Sequence, residues 1–404
     1  MQPAPHPARG EVAEAFRPVA AAFGRLVGRR PGAGGGALVV RMGGETVANL
    51  WAGSADRRGE RPWTPETLAI SFSTTKGVAS TVVHRLADRG LLGLDDPVAA
   101  HWPAFGAGGK ERITVRDVMT HRAGLHSVQA IADRAEDVLD HLAMEERIAA
   151  RAVRAPTRTS AYHAFTYGWV LAGLLRGVTG RGIADLVRTE LAEPLGVDGL
   201  HVGVPPAERG RVAEPVGSAL RHLGSAAQVL TPLWTRATRM RAAFEALHLP
   251  GFDRLFLGAE PPIWSTEMAA INGAFSADAL ARLYATLANG GADGGTRLLS
   301  AEATHDLGRV RVRTADAVLG LRMRWRTGYH QAFVAGRQSP RAFGHYGYGG
   351  SGAWADPKLG LSVGFVTNRI GSFSTPLGDV TLMRLSRAVR DCALRAAGRA
   401  PAPA

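Results

Sequence analysis

Residues 71–90 read SFSTTKGVASTVVHRLADRG, and the spacing inside this stretch decides how the rest of the chain is read. Val78, Val82, Val83 and Leu86 recur at helical spacing and Gly90 supplies a C-terminal stop, so a helix is predicted to begin near Ser73. Lys76 then lies one turn on and on the same face, because residues three apart on a helix are neighbours. A serine hydroxyl is a poor nucleophile until a base takes its proton. A lysine can be that base if burial or nearby positive charge lowers its pKa, and a helix N-terminus sets N–H groups beside developing negative charge. An N-cap serine with a solvated lysine is the other reading, and the spacing alone leaves both open. Lysine is scarce here, however: Lys76, Lys110 and Lys358 are the only lysines among 48 basic residues.

With 404 residues, 46% of them hydrophobic and 21% charged, the chain can bury a large core as one two-lobed unit or two domains. The formal net charge of +13 raises the question of nucleic acid. The arginines are scattered among Asp and Glu with no run of five like charges, so nucleic-acid binding is not expected. No apolar run in the first 36 residues has signal-peptide character, and none elsewhere has membrane-spanning length. A cytoplasmic protein without a membrane span is the expectation. The single cysteine, Cys392, excludes an internal disulfide and a cysteine-based zinc site.

Residues 10–29 are predicted to be helical, with Val12, Phe16, Val19, Phe23 and Leu26 on one face. ALVVRMGGETVANLWAG, 37–53, reads as a hairpin about Gly43 and Gly44. From about 100 to 270 the chain reads as mainly helical with long loops, and SADALARLYATLANGG, 276–291, as a further helix. Strands are predicted at VLGLRMRWRTG (318–328), GAWADP (352–357) and LGLSVGFVTN (359–368), the last two joined by a turn at 356–360, and a final helix at 376–397. Strands at both ends of the chain imply an α+β architecture: one antiparallel sheet flanked by N- and C-terminal helices, with a mainly helical lobe inserted. The sheet domain would comprise 1–100 and 271–404, the helical domain 101–270, and the cleft between them would hold the site.

Three further segments follow the SxxK stretch in order: ITVRDVMTHRAGL (113–125), SAYHAFTYGWVLAGLLRGVTG (160–180) and FGHYGYGGSGAWADP (343–357). Together, over about residues 35–370, they resemble the serine hydrolases of the class C β-lactamase, DD-peptidase and family VIII esterase group. The resemblance implies a β-lactamase/transpeptidase-like fold, with Ser73 as acyl-forming nucleophile, Lys76 as its proton partner and no cofactor. Tyr162 would share the base role, its phenol held down by Lys76. His345, Tyr346 and Gly347 stand at the third motif, whose backbone runs beside the substrate. The amides of Ser73 and Tyr348 would form the oxyanion hole.

The sequence departs from that group at two polar anchors: Tyr-x-Asn is here Tyr162-His163-Ala164, and the third-motif lysine is His345. A small ester substrate, and so a carboxylesterase acting on short-chain esters, is therefore expected ahead of a β-lactamase or D-amino-acid peptidase. An acyltransferase would use the same acyl-enzyme, and a non-catalytic binding relative would usually lose the serine or lysine. GYGGSG at 347–352 matches GxGxxG, but a strand is predicted after it where a dinucleotide site needs a helix. No GxSxG elbow occurs, and His121 and His126 lack a third metal-ligand partner and are assigned to loop architecture. Glu267 and Asn272 are placed near the cleft only by their position after the helical lobe.

Overall fold

The computed structural model describes residues 7–27, 34–153, 159–217, 241–336, 339–370 and 379–398. Gly43 and Gly44 both take positive φ, +59° and +89°, which is the backbone a two-residue hairpin turn requires. They join strands Gly35–Met42 and Glu45–Gly53 as the sequence predicts. Against the first of these lies Leu361–Thr367 from the far end of the chain, running antiparallel with Leu361 opposite Met42 and Thr367 opposite Gly36. Both termini thus build one sheet. Its seven strands follow the order Arg9–Val12, Glu45–Gly53, Gly35–Met42, Leu361–Thr367, Gly352–Asp356, Phe343–Tyr346, His330–Gln331, and every neighbouring pair is antiparallel.

Alternation along these strands feeds two apolar layers. Leu38, Val40, Val363 and Phe365 pack with Val19 and Phe23 of the Arg17–Leu26 helix and Leu382, Leu385 and Val389 of the Thr381–Ala396 helix. On the other face Ala37, Val39, Ala353 and Val366 meet Leu280 and Leu283 of the Ala277–Ala288 helix and Val78 and Val82 of the Thr74–Asp88 helix. That second layer continues into the helical block, whose helices include Val115–Met119, His141–Ala150 and Thr166–Thr179. The arrangement is a β-lactamase/transpeptidase-like fold. Among the described residues no helix is long and apolar enough to cross a membrane.

Two expectations need correction. Val12 belongs to the edge strand Arg9–Val12, paired with Ala48, and the helix begins only at Arg17, where Pro18 fits the first turn; residues 28, 29 and 376–378 of the two terminal helix predictions lie outside the described residues. Residues 318–328 form no strand. The Asp316 carboxylate takes the N–H groups of Val318 and Leu319, Gly320 turns the chain, and Arg324 sits at φ +49°, so the ladder hydrogen bonds a strand needs are diverted. A small sheet of Ala69–Ile70, Gly273–Phe275 and Leu200–Val202 is also present, its strands too short to show periodicity.

Candidate active site

The Ala69–Ile70 strand delivers the chain to Ser71, whose amide donates to Gly273 O at 2.8 Å. Phe72 then takes φ +46°, a left-handed conformation that costs an aromatic residue on the order of 1–3 kcal/mol. The strained turn sets Ser73 at the mouth of the Thr74–Asp88 helix. Ser73 is itself near-helical, at φ −65° and ψ −6°, and its side chain makes no capping hydrogen bond. The hydroxyl is turned elsewhere, so the N-cap reading fails. Lys76 Nζ lies 3.2 Å from Ser73 Oγ, and the Tyr162 hydroxyl donates to the same oxygen at 2.8 Å.

Lys76 is fully buried and donates to two backbone carbonyls, Ala164 O at 2.7 Å and Ala270 O at 3.0 Å. No carboxylate pairs with it among the described residues. Burial therefore pulls its pKa well below the usual lysine value, since nothing nearby compensates the buried charge. Tyr162 is the reverse case. Burial, and secondarily the Asp316 carboxylate, push its phenol above the ordinary range against the opposing hydrogen bond with Ser73. The expectation of a phenol held down by Lys76 does not hold, because a desolvated amine supplies little positive charge.

The ring of Tyr162 stacks on Trp325, with centroids 5.5 Å apart and planes 10° apart, and meets the His121 ring at 4.9 Å. Its backbone amide donates to Asp316 Oδ1 at 3.1 Å, and the Trp325 indole donates to Asp316 Oδ2 at 3.0 Å. His163, between Tyr162 and Ala164, donates its amide to His121 Nδ1 at 3.2 Å, while its Nε2 accepts from Leu125 N at 3.0 Å. Burial lowers the His163 pKa to about 3 and that of His121 well below 6.5. His121 is thus part of the wall behind Tyr162, beyond the loop role assigned from sequence. His126 stands apart, 4.0 Å from Glu245.

The Phe343–Tyr346 strand brings His345 to the same wall, its ring 6.4 Å from that of Tyr162 and 4.9 Å from that of His330. His345 is buried, and its Nε2 has no hydrogen-bond partner among the described residues. Burial first, then the neighbouring His330, set its pKa well below 6.5. Tyr346 points to the opposite face of the sheet, where its hydroxyl donates to Phe333 O at 2.9 Å and packs near Ser386 of the C-terminal helix. Strand alternation therefore turns its side chain away from Ser73 and Tyr162. At Gly347 any Cβ would lie 2.1 Å from Ser71 O, so only glycine lets this strand end pass against the Ser73 turn. Beyond it the Tyr348 ring meets Phe72 edge-on at 6.1 Å. Residues 347–352 then lead into the Gly352–Asp356 strand, as the rejection of a dinucleotide loop requires.

Glu267 and Asn272 serve the scaffold. Glu267 accepts from Ala184 N at 3.2 Å, and the Asn272 amide donates to Ile263 O and Thr266 O. Asp316 and Trp325 escaped the sequence reading. The available signal was an aspartate four residues before Gly320, the start of a turn that its side chain closes.

A family model described as Beta-lactamase matches residues 19–386. The esterase/beta-lactamase LipL of Mycobacterium tuberculosis is 42% identical over 373 residues, covering 92% of this chain and 85% of that protein. The crystal structure of a family VIII carboxylesterase superposes with a TM-score of 0.80 at 32% identity, covering 95% of this chain and 99% of the other. A penicillin-binding protein homologue from Caulobacter crescentus gives 0.81 at 31% identity with the same coverage. The chain belongs to the beta-lactamase family, as an esterase-like hydrolase.

Proposed function

We propose that the protein is a serine carboxylesterase that hydrolyses short-chain esters through an acyl-enzyme on Ser73. The observation that carries the reading is the environment of Lys76: two carbonyls accept its N–H groups, and the third direction faces Ser73 Oγ. An uncharged amine held this way directs its lone pair at the serine proton. Ser73 gives that proton to Lys76 as Oγ bonds to the ester carbonyl carbon, and the carbonyl electrons move onto oxygen, held by the amides of Ser73 and Tyr348. When the C–O bond breaks, the proton returns from Lys76 to the leaving alkoxide, with the Tyr162 hydroxyl on the same Oγ as relay. Water repeats the sequence on the acyl-enzyme, releasing the acid and restoring Ser73.

The residues at 164 and 345 favour an ester over a β-lactam, since Ala164 offers no carboxamide and His345 no permanent cation. Labelling by a fluorophosphonate, lost in Ser73→Ala, tests the acyl-enzyme. A wild-type protein that is folded yet neither labelled nor active on p-nitrophenyl esters rejects it.

Tyr162→Phe keeps the stack on Trp325 and removes one hydroxyl. Turnover is expected to fall on the order of a hundredfold with an unchanged melting temperature. Near-normal turnover with lost stability would make the tyrosine structural.

The pH profile of kcat/KM gives a separate check. Falling pH protonates Lys76 and removes the base, so activity is expected to drop on the acid side, with a midpoint far below the ordinary lysine pKa of about 10.4. Tyr162, raised by burial, adds no alkaline loss below about pH 10. An acid limb centred near 10 would show that Lys76 is charged at neutral pH and would remove it as the base.

A further inference from the structure

We propose that Asp316 is a positioning residue for the reaction, fixing the Tyr162 hydroxyl against Ser73 through two separate connections, one to the Tyr162 backbone and one to the ring beneath its phenol. The proposal rests on the reading of Tyr162 as a participant in catalysis. Asp316 is almost wholly buried, and its carboxylate is saturated by four N–H donors. Oδ1 accepts from Tyr162 N at 3.1 Å, Val318 N at 3.0 Å and Leu319 N at 3.1 Å, and Oδ2 accepts from Trp325 Nε1 at 3.0 Å. No basic side chain forms an ion pair with it among the described residues. A buried carboxylate held only by N–H dipoles is costly unless each bond is made, so the group is a rigid node.

The node joins two segments more than 150 residues apart in sequence. Main-chain bonds reinforce it: Ala317 N donates to Ser160 O at 2.8 Å, and Asp316 N donates to Leu321 O at 2.8 Å. Ser160 to Tyr162 are thereby clamped to the 316–321 turn. The second connection sets the plane of Trp325, on which the Tyr162 ring lies nearly parallel, while His121 closes against the Trp325 ring at 4.2 Å. A phenol carried on a loop acquires a defined direction only when both its backbone and its ring face are held. The Tyr162 hydroxyl must reach an oxygen 2.8 Å away, and misplacement by about 1 Å can cost a hundredfold in rate.

Asn at 316 can keep the three acceptor bonds of Oδ1, but its NH2 then faces the indole N–H, donor against donor. Trp325→Phe removes that indole donor while keeping a stacking ring. The experiment measures kcat, KM and melting temperature on p-nitrophenyl butyrate for wild type, Asp316→Asn, Trp325→Phe, the double variant and Tyr162→Phe. Asp316→Asn is expected to lower kcat on the order of thirtyfold or more with KM within about threefold, since the defect lies in alignment. The double variant is expected to recover at least about fivefold in kcat over Asp316→Asn, because the opposed donors are gone.

A folded Asp316→Asn with kcat within threefold of wild type overturns the proposal, as does a double variant no faster than Asp316→Asn. Should Asp316→Asn fail to fold, Trp325→Phe decides: a kcat loss of about threefold or more at unchanged KM supports the positioning role, and an unchanged kcat overturns it. Tyr162→Phe separates the two levels. If that variant is fully active, the reading of Tyr162 itself fails; if it is slow while Asp316→Asn is not, only the role of Asp316 fails.

Discussion

Ser73→Ala is expected to lower ester hydrolysis on the order of a thousandfold or more and to abolish fluorophosphonate labelling, with the melting temperature nearly unchanged. The separation between activity and stability follows from the local geometry. Ser73 caps nothing, so its hydroxyl can be removed without freeing a helix-end N–H. Among the described residues its side-chain hydrogen bonds are to Lys76 and Tyr162. Lys76→Ala should match Ser73→Ala in residual rate, and the double variant should be no slower, because residues acting as a unit give non-additive losses. Stability distinguishes them. Lys76→Ala leaves Ala164 O and Ala270 O without their buried donor, at a cost of roughly 1–3 kcal/mol for each carbonyl left unsatisfied. Rates for that variant must be read well below its lowered melting temperature. A Ser73→Ala protein with wild-type turnover would reject the nucleophile and everything built on it.

How much of this was legible in sequence depended on how local each determinant is. The hairpin at Gly43 and Gly44 and the Thr74–Asp88 helix show in sequence because turn chemistry and apolar spacing act within a few residues. Placing Ser73, Lys76 and Tyr162 together needed ordered motifs, since the contacts span 89 residues of chain. The shift of the Tyr162 phenol was misjudged, since burial raises its pKa where a lowering by Lys76 was expected. Burial is a property of the assembled core, and no residue near Lys76 in sequence announces that two carbonyls from positions 164 and 270 will surround it. Residues 318–328 carry strand-like composition, yet one aspartate two residues before them captures the amides that a ladder would need. Tyr346 lies on the Phe343–Tyr346 strand, yet its side chain follows the pleat to the far face, which spacing alone does not announce.

The second large effect concerns substrate choice: kcat/KM for p-nitrophenyl butyrate is expected to exceed that for nitrocefin by roughly several hundredfold at pH 7.5, relative to relatives that carry both polar anchors. A β-lactam brings a carboxylate and an amide side chain. In the family pattern a third-motif lysine meets the first and the Tyr-x-Asn carboxamide the second. Here His345 is uncharged at that pH, because burial, with His330 beside it, keeps its pKa well below 6.5. Position 164 offers a methyl group, and its carbonyl is already engaged by Lys76. An absent contact to a charged group is worth roughly 1.5–3 kcal/mol and one to a neutral amide roughly 0.5–1.5 kcal/mol, so the two together reach that ratio at about 1.4 kcal/mol per tenfold. A neutral ester asks for neither contact and loses nothing. The decisive comparison adds the His345→Lys, Ala164→Asn double variant, in which nitrocefin turnover should rise at least tenfold over wild type while butyrate turnover falls or holds. Comparable kcat/KM for the two substrates in the wild type would reject the esterase assignment whatever the double variant does, because it would mean that the cleft meets the β-lactam carboxylate without either anchor.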